Sequence, residues 1–137
     1  MKKVLVICTH NSTRSQMAEG LINYIYKGRV EAKSAGTEAT KVNPLAIQVM
    51  GDIGIDISGH HSKTLDQFID EDFDLVITVC DSANETCPVF PSASRKIHKG
   101  FEDPNNAPEN EKYARFAKVR DEIREWVESE LSQLLDL

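Results

Sequence analysis

Cys8 and Arg14 stand six residues apart, with Thr9-His10-Asn11-Ser12-Thr13 between them and Ser15 directly after. A free thiol with a pKa near 8.5 is only about a few per cent thiolate at neutral pH. A helix N-terminus and a nearby cation lower that pKa by several units, each worth about 1.4 kcal/mol. An arginine also grips a tetrahedral oxyanion with two parallel hydrogen bonds, which a lysine does less well. Ser15 offers a hydroxyl to hydrogen-bond the thiolate. Residues 8–14 therefore suit a thiolate that attacks the centre of a phosphate-like oxyanion held by the loop amides and Arg14. Attack expels an oxygen, which leaves better when protonated. Asp103, in front of Pro104, is the candidate acid for that step. Both Cys-x5-Arg and Asp-Pro are common patterns on their own, so the reading depends on the elements around them.

Those elements are legible. Val4 to Ile7 is an unbroken apolar run, as in a strand buried on both faces. From Ser15 onward the pattern turns helical, with Met17, Leu21, Ile22 and Ile25 near the helical period. A strand, a polar loop and a helix N-terminus make an anion cradle. Val30 to Ala35 reads as a second strand ending at Gly36. Asn43-Pro44 reads as the capped start of a helix that Gly54 stops. Ser62 to Asp70 reads as a short helix or turn, Phe73 to Cys80 as another buried strand, and 81–94 as a loop with room for a helical turn. Lys96 to Phe101 reads as a last short strand, and a final helix runs from near Pro108 to about Leu135. Alternating strands and helices with right-handed crossovers predict one domain over 1–137, a parallel sheet of about four strands with helices on both faces. Ligands of such sheets bind beyond the carboxyl ends of the strands. Cys8 and Cys80 both stand at that end, and Asp103 follows the last strand.

Cys80 and Cys87 alter the expected reaction. A thiol near the cradle can attack the sulfur of Cys8, and a third can carry the oxidation outward by thiol–disulfide exchange. The residues alone leave this open against two unrelated buried cysteines. Three cysteines do not make a disulfide scaffold. No Cys-x2-Cys or His-x3-His pattern supplies a fourth metal ligand, so no metal is expected. A net charge of −6 argues against nucleic acid or an anionic membrane as a general partner. No stretch approaches membrane-spanning length, and Met1-Lys2-Lys3 leads straight into a strand, so a cytoplasmic location is expected.

The stretch from Cys8 to Gly20 resembles the signature of thioredoxin-coupled arsenate reductases of the low-molecular-weight tyrosine phosphatase fold. So do Ser34-Ala35-Gly36, Asn43-Pro44, Gly54-Ile55-Asp56-Ile57-Ser58, Val79-Cys80, Cys87-Pro88, Gly100-Phe101 with Asp103-Pro104, and Val119-Arg120-Asp121-Glu122-Ile123. The resemblance implies a three-layer, flavodoxin-like α/β/α fold and reduction of arsenate to arsenite, with no cofactor, in a monomer. It implies Cys8 as nucleophile, Thr9 to Arg14 as the oxyanion cradle, Ser15 as support for the thiolate and Asp103 as acid/base. It also implies redox-active disulfides Cys8–Cys80 and then Cys80–Cys87, with thioredoxin as reductant. Since Cys80 and Cys87 are seven positions apart, closing the second disulfide requires residues 81–94 to rearrange.

Three departures from that pattern stand out. His10 sits where relatives often have Gly, and Thr13 replaces a frequent cysteine. Relatives bind potassium through Asn, Glu, Ser and Asp. Asn11, Glu19 and Ser34 match, but the Asp position reads Lys63, whose ammonium either takes the cation's place or points to solvent. The alternative function is a phosphatase acting on phosphotyrosine or a small phosphoester. Asn105-Asn106-Ala107 lacks the aromatic residues that would frame an aryl phosphate. A non-enzymatic thiol or metal sensor is a third reading.

Overall fold

The computed structural model describes residues 1–80, 93 and 95–137. Its strands are β1 (Lys2–Cys8), β2 (Val30–Gly36), β3 (Leu75–Thr78) and β4 (Lys96–His98). Its longer helices are α1 (Arg14–Ile25), α2 (Pro44–Gly51) and α3 (Lys112–Trp126). The strands form one sheet in the order β2-β1-β3-β4, and every pairing is parallel. Val4 through Cys8 and all of β3 are buried. Successive strand residues point to opposite faces, so both faces of these central strands are covered, as their apolar runs predict. The register sets Cys8 beside Gly36 and Ile7 beside Thr78, which brings the carboxyl ends of β1, β2 and β3 to one edge.

Local sequence accounts for the boundaries. Asn43 caps α2 by accepting the Leu45 N–H at 2.9 Å, with Pro44 in the first turn, where its missing N–H costs nothing. Gly54 takes a φ of +82° just beyond that helix, a conformation open to glycine. The expected helix or turn over 62–70 is a single 3₁₀ turn at Leu65–Gln67, with Leu65 and Phe68 buried. The expected final helix opens with a 3₁₀ turn (Glu109–Glu111) and then runs as α3. Beyond Trp126 it widens into a π-helical stretch, Val127–Leu131, before one more α turn at Ser132–Leu134. The Tyr26 hydroxyl donates to the Val127 carbonyl at 2.7 Å in the interior, tying the end of α1 to this wide turn. Phe116, Val119, Ile123, Val127 and Leu131 are fully buried, so the apolar stripe of the last helix is core. Among the described residues no helix is long and apolar enough to cross a membrane.

Candidate active site

The five residues between β1 and α1 form a loop whose carbonyls are occupied from outside. The Thr9 carbonyl accepts the Glu38 N–H at 2.9 Å and the Thr37 hydroxyl at 3.2 Å. His10 accepts from the Ser62 hydroxyl at 2.8 Å, Asn11 from Gln16 Nε2 at 3.2 Å, and Ser12 from the Asn43 N–H at 3.0 Å. In a planar trans peptide the N–H points opposite to the C=O. The N–H groups of His10, Asn11, Ser12 and Thr13 therefore turn inward, toward the side bounded by Cys8. Asn11 holds a φ of +50°, which asparagine tolerates better than most residues. Its side chain is buried and fixed on all sides. Oδ1 accepts from Gln16 Nε2 at 2.9 Å and from the Lys63 N–H at 3.0 Å, and Nδ2 donates to Ser15 Oγ at 2.8 Å. Ser15, fully buried, thus accepts a hydrogen bond from Asn11 and keeps its own hydroxyl proton to donate. No side chain caps α1, so its first N–H groups also stay open to an anion.

Arg14 closes the other side. Its Nη1 donates to the Phe101 carbonyl at 3.0 Å, and its Nη2 lies 3.7 Å from Asp103 Oδ2. Its Nε is buried and has no hydrogen-bond partner among the described residues. A buried N–H donor without a partner is costly, and an oxyanion oxygen would satisfy it. Cys8, His10, Ser12, Thr13, Arg14, Asp103 and Asn105 line a cavity of about 30 Å³ here. The structure thus brings Asp103 to the cradle across the sheet edge, as its position after the last strand predicts.

Cys8 lines the cavity, and the other described sulfur, Cys80, lies against it. Cys8 and Cys80 are buried free thiols, and Thr9 Oγ1 is 3.2 Å from Cys80 Sγ. The Cys8 thiol departs from the sequence expectation of a lowered pKa. Its hydrogen bond with Cys80 and its burial push the pKa up, and negative charge on Cys80 adds to this. Arg14 and the Thr9 backbone pull the other way and do not prevail. The loop, the helix N-terminus and the arginine favour the thiolate, but a second sulfur in contact and burial outweigh them. Cys87 lies outside the described residues, as does the segment 81–94 apart from Ala93.

Lys63 is not a solvent-facing residue. Its side chain is 11% exposed, and its Nζ lies 3.8 Å from Glu19 Oε1 and donates to the His61 carbonyl at 3.0 Å. Ser34 Oγ donates to the same Glu19 oxygen at 2.6 Å, and Asn11 receives the Lys63 N–H. Burial and the nearby Lys33 lower the Lys63 pKa, while Glu19 supports its charge. These residues do not fit a potassium ion, because an ammonium already stands beside the only acid of the set. Among the described residues no group of three His, Cys, Asp or Glu side chains could hold a metal ion.

Sequence reasoning missed the residues that brace the loop from behind. Gln16 bonds Asn11, the His61 carbonyl and His60 Nδ1, and His60 Nε2 is 3.3 Å from Glu19. Asn105 bridges Asp103 and Thr13. Polar loop residues carry no periodic signal, and only the fold brings positions 16, 60 and 105 to the cradle.

A cysteine at a strand end, an arginine at the next helix start and an aspartate from a distant loop thus meet at the carboxyl edge of a four-stranded parallel sheet. The chain belongs to the low molecular weight phosphotyrosine protein phosphatase family, whose model matches residues 3–136. Among curated relatives, arsenate reductase 2 of Staphylococcus epidermidis is 46% identical over 128 residues, 93% of this chain and 95% of that protein. The arsenate reductase of Halalkalibacterium halodurans is 46% identical over 89% of each chain. A solved arsenate reductase in its phosphate-binding state superposes with a TM-score of 0.83 at 34% identity, covering 98% of this chain and 99% of that one. A low molecular weight protein tyrosine phosphatase from T. tengcongensis gives 0.81 at 27% identity, covering 97% and 99%.

Proposed function

We propose that this protein reduces arsenate to arsenite through a cysteine relay regenerated by thioredoxin. The observation that carries the proposal is a second sulfur, Cys80, in hydrogen-bond contact with Cys8 at the floor of an oxyanion cradle. A phosphatase needs one thiolate, because water resolves its intermediate. Reduction needs a second thiol within reach of the first, and arsenate reductases are the curated relatives of this chain.

The reaction is a series of displacements, first at arsenic and then at sulfur. The inward N–H groups and Arg14 hold the oxyanion. Cys8 Sγ attacks arsenic, and one arsenate oxygen leaves as water, with a proton from Asp103. Ser15 Oγ, fixed by Asn11, donates to the Cys8 thiolate before attack. The Cys80 thiolate, supported by the Thr9 hydroxyl, then attacks Cys8 Sγ. The sulfur–arsenic bond breaks, its electron pair goes to arsenic, and arsenite leaves as the Cys8–Cys80 disulfide forms. Cys87 attacks Cys80 Sγ next, releasing Cys8 as a thiolate and forming the Cys80–Cys87 disulfide. The dithiol of thioredoxin reduces that disulfide and is itself oxidised. Phosphoester hydrolysis at the same Cys8, Arg14 and Asp103 is the side activity expected of the family.

The test is steady-state arsenate turnover with thioredoxin, thioredoxin reductase and NADPH, beside hydrolysis of an aryl phosphate. Cys80→Ser should abolish arsenate turnover yet keep hydrolysis within about tenfold, or about 1.4 kcal/mol of barrier. Cys8→Ser should abolish both. Equal survival of the two activities in Cys80→Ser would remove the relay and leave the phosphatase.

A further inference from the structure

We infer that Asn105 is a specificity-determining residue, a strap that narrows the mouth of the Cys8 cradle to a free inorganic oxyanion and disfavours its organic esters. The inference deepens the proposed function and rests on it for the identity of the physiological oxyanion. Asn105 sits in the 3₁₀ turn Pro104–Asn106, which Asp103 caps. Its backbone N–H and its Nδ2 both donate to Asp103 Oδ1, at 3.0 and 3.1 Å. The same Nδ2 donates to Thr13 Oγ1 at 3.3 Å. Its Oδ1 accepts from Asn43 Nδ2 at 3.0 Å. Asn43 is in turn the cap of α2, and its N–H donates to the Ser12 carbonyl. One side chain therefore joins the Asp103 loop, the cradle at Thr13 and the start of α2.

A primary amide has two N–H donors. Both are engaged, one on Asp103 and one on Thr13, so Asn105 has no donor left for a substrate. Its part is positional. The cavity it helps to line is small, about 30 Å³, and is bounded by Cys8, His10, Arg14 and Asp103. An ester carries its organic group out through the mouth, past Asp103 and Asn105 on one side and His10 on the other. The side chain that would have to yield is tied at both ends. Thr13 and Asn105 bond each other, so the strap depends on both being present.

The experiment measures binding rather than turnover, so it stands whether or not arsenate reduction is found. Calorimetry on the reduced, full chain gives dissociation constants for inorganic phosphate and for phenylphosphonate, an ester mimic that cannot be hydrolysed. The wild type should bind phenylphosphonate at least about tenfold more weakly than phosphate. Asn105→Ala should shift the ratio of the two affinities about tenfold in favour of phenylphosphonate. Asn43→Ser keeps a capping hydroxyl for α2 but cannot reach Asn105, and should move the ratio the same way by less. Asn105→Ser replaces the alanine variant if that one does not fold. Equal affinities in the wild type would overturn the inference. So would an unchanged ratio in both variants, or a parallel loss of both ligands, which would make Asn105 merely structural. Absence of thioredoxin-dependent arsenate turnover in the wild type would count against the proposed function alone.

Discussion

Gly36 is where the sheet most directly sets the shape of the cradle, and Gly36→Ala tests that coupling. An added Cβ would lie 2.6 Å from the Glu38 carbonyl oxygen, 2.7 Å from the Thr9 carbonyl oxygen and 2.8 Å from the Asn11 nitrogen. All three are backbone atoms, and two belong to the cradle. Ordinary contact begins at about 3.4 Å, so the loop must retreat by roughly 0.6–0.8 Å. Overpacking of this kind costs about 1–3 kcal/mol. Alanine recovers about 0.5–1 kcal/mol of the entropy that glycine loses in a strand. The net destabilisation should be about 0–2.5 kcal/mol. The effect on activity should be far larger, because misplacing reacting groups by about 1 Å costs roughly 100-fold in rate. Gly20→Ala is the control. Its Cβ would meet Ile57 Cγ2 at 2.7 Å and Met50 Cε at 3.1 Å, which are side-chain ends remote from the loop. Denaturant melts and arsenate turnover of both variants decide the matter. A Gly36→Ala protein within about threefold of wild-type turnover would refute the argument that β2 fixes the loop.

Two further outcomes follow from charge. Cys80 pushes up the Cys8 pKa, so Cys80→Ala should lower the pH at which the Cys8 thiolate absorbs in the ultraviolet. The same shift has a stability consequence. In the unfolded chain the thiol ionises near its ordinary value of 9.0, while in the folded chain it keeps its proton. The unfolded state then binds fewer protons, so this contribution is complete below about pH 9 and is lost as the pH rises from there. Chemical denaturation of wild type and Cys80→Ala across that range should show the steeper decline in the wild type, and parallel curves would contradict it. Lys63→Asp should create a cation site with Asn11, Glu19 and Ser34, and its melting temperature should rise in potassium relative to tetramethylammonium at equal ionic strength. No ion-specific difference would mean that Lys63 does not stand in for a cation.

Much of the fold was legible because periodic burial writes itself into the chain. The apolar runs at Val4–Ile7 and around Leu75–Thr78, the Asn43-Pro44 start and the Phe116-to-Leu131 stripe all state their environment locally. The strand expected to reach Phe101 ends at His98, since its last residues leave the ladder. The Phe101 carbonyl instead accepts from Arg14 and its N–H donates to the Val79 carbonyl. In the site, the places of Cys8 at a strand end, Arg14 at the next helix start and Asp103 beyond the last strand are readable from the sequence. The bracing side chains were not. Nothing about Gln16 or His60 differs from an ordinary polar residue until the fold sets them behind Asn11.

The largest departure between sequence and structure, the raised Cys8 pKa, follows from the same long-range placement. A lone Cys8 beside Arg14 and a helix N-terminus is a thiolate waiting for an electrophile. With Cys80 against it, negative charge on Cys80 holds the proton on Cys8. One charge between two sulfurs fits a relay in which each must be the nucleophile in turn, Cys8 toward arsenic and Cys80 toward Cys8. The groups that favour each thiolate are separate. Arg14 and the Thr9 backbone act on Cys8, and the Thr9 hydroxyl acts on Cys80. In the proposed relay Thr9 would serve both steps with different atoms, its backbone in the first attack and its side chain in the second. A plain phosphatase site has use for the backbone contact alone.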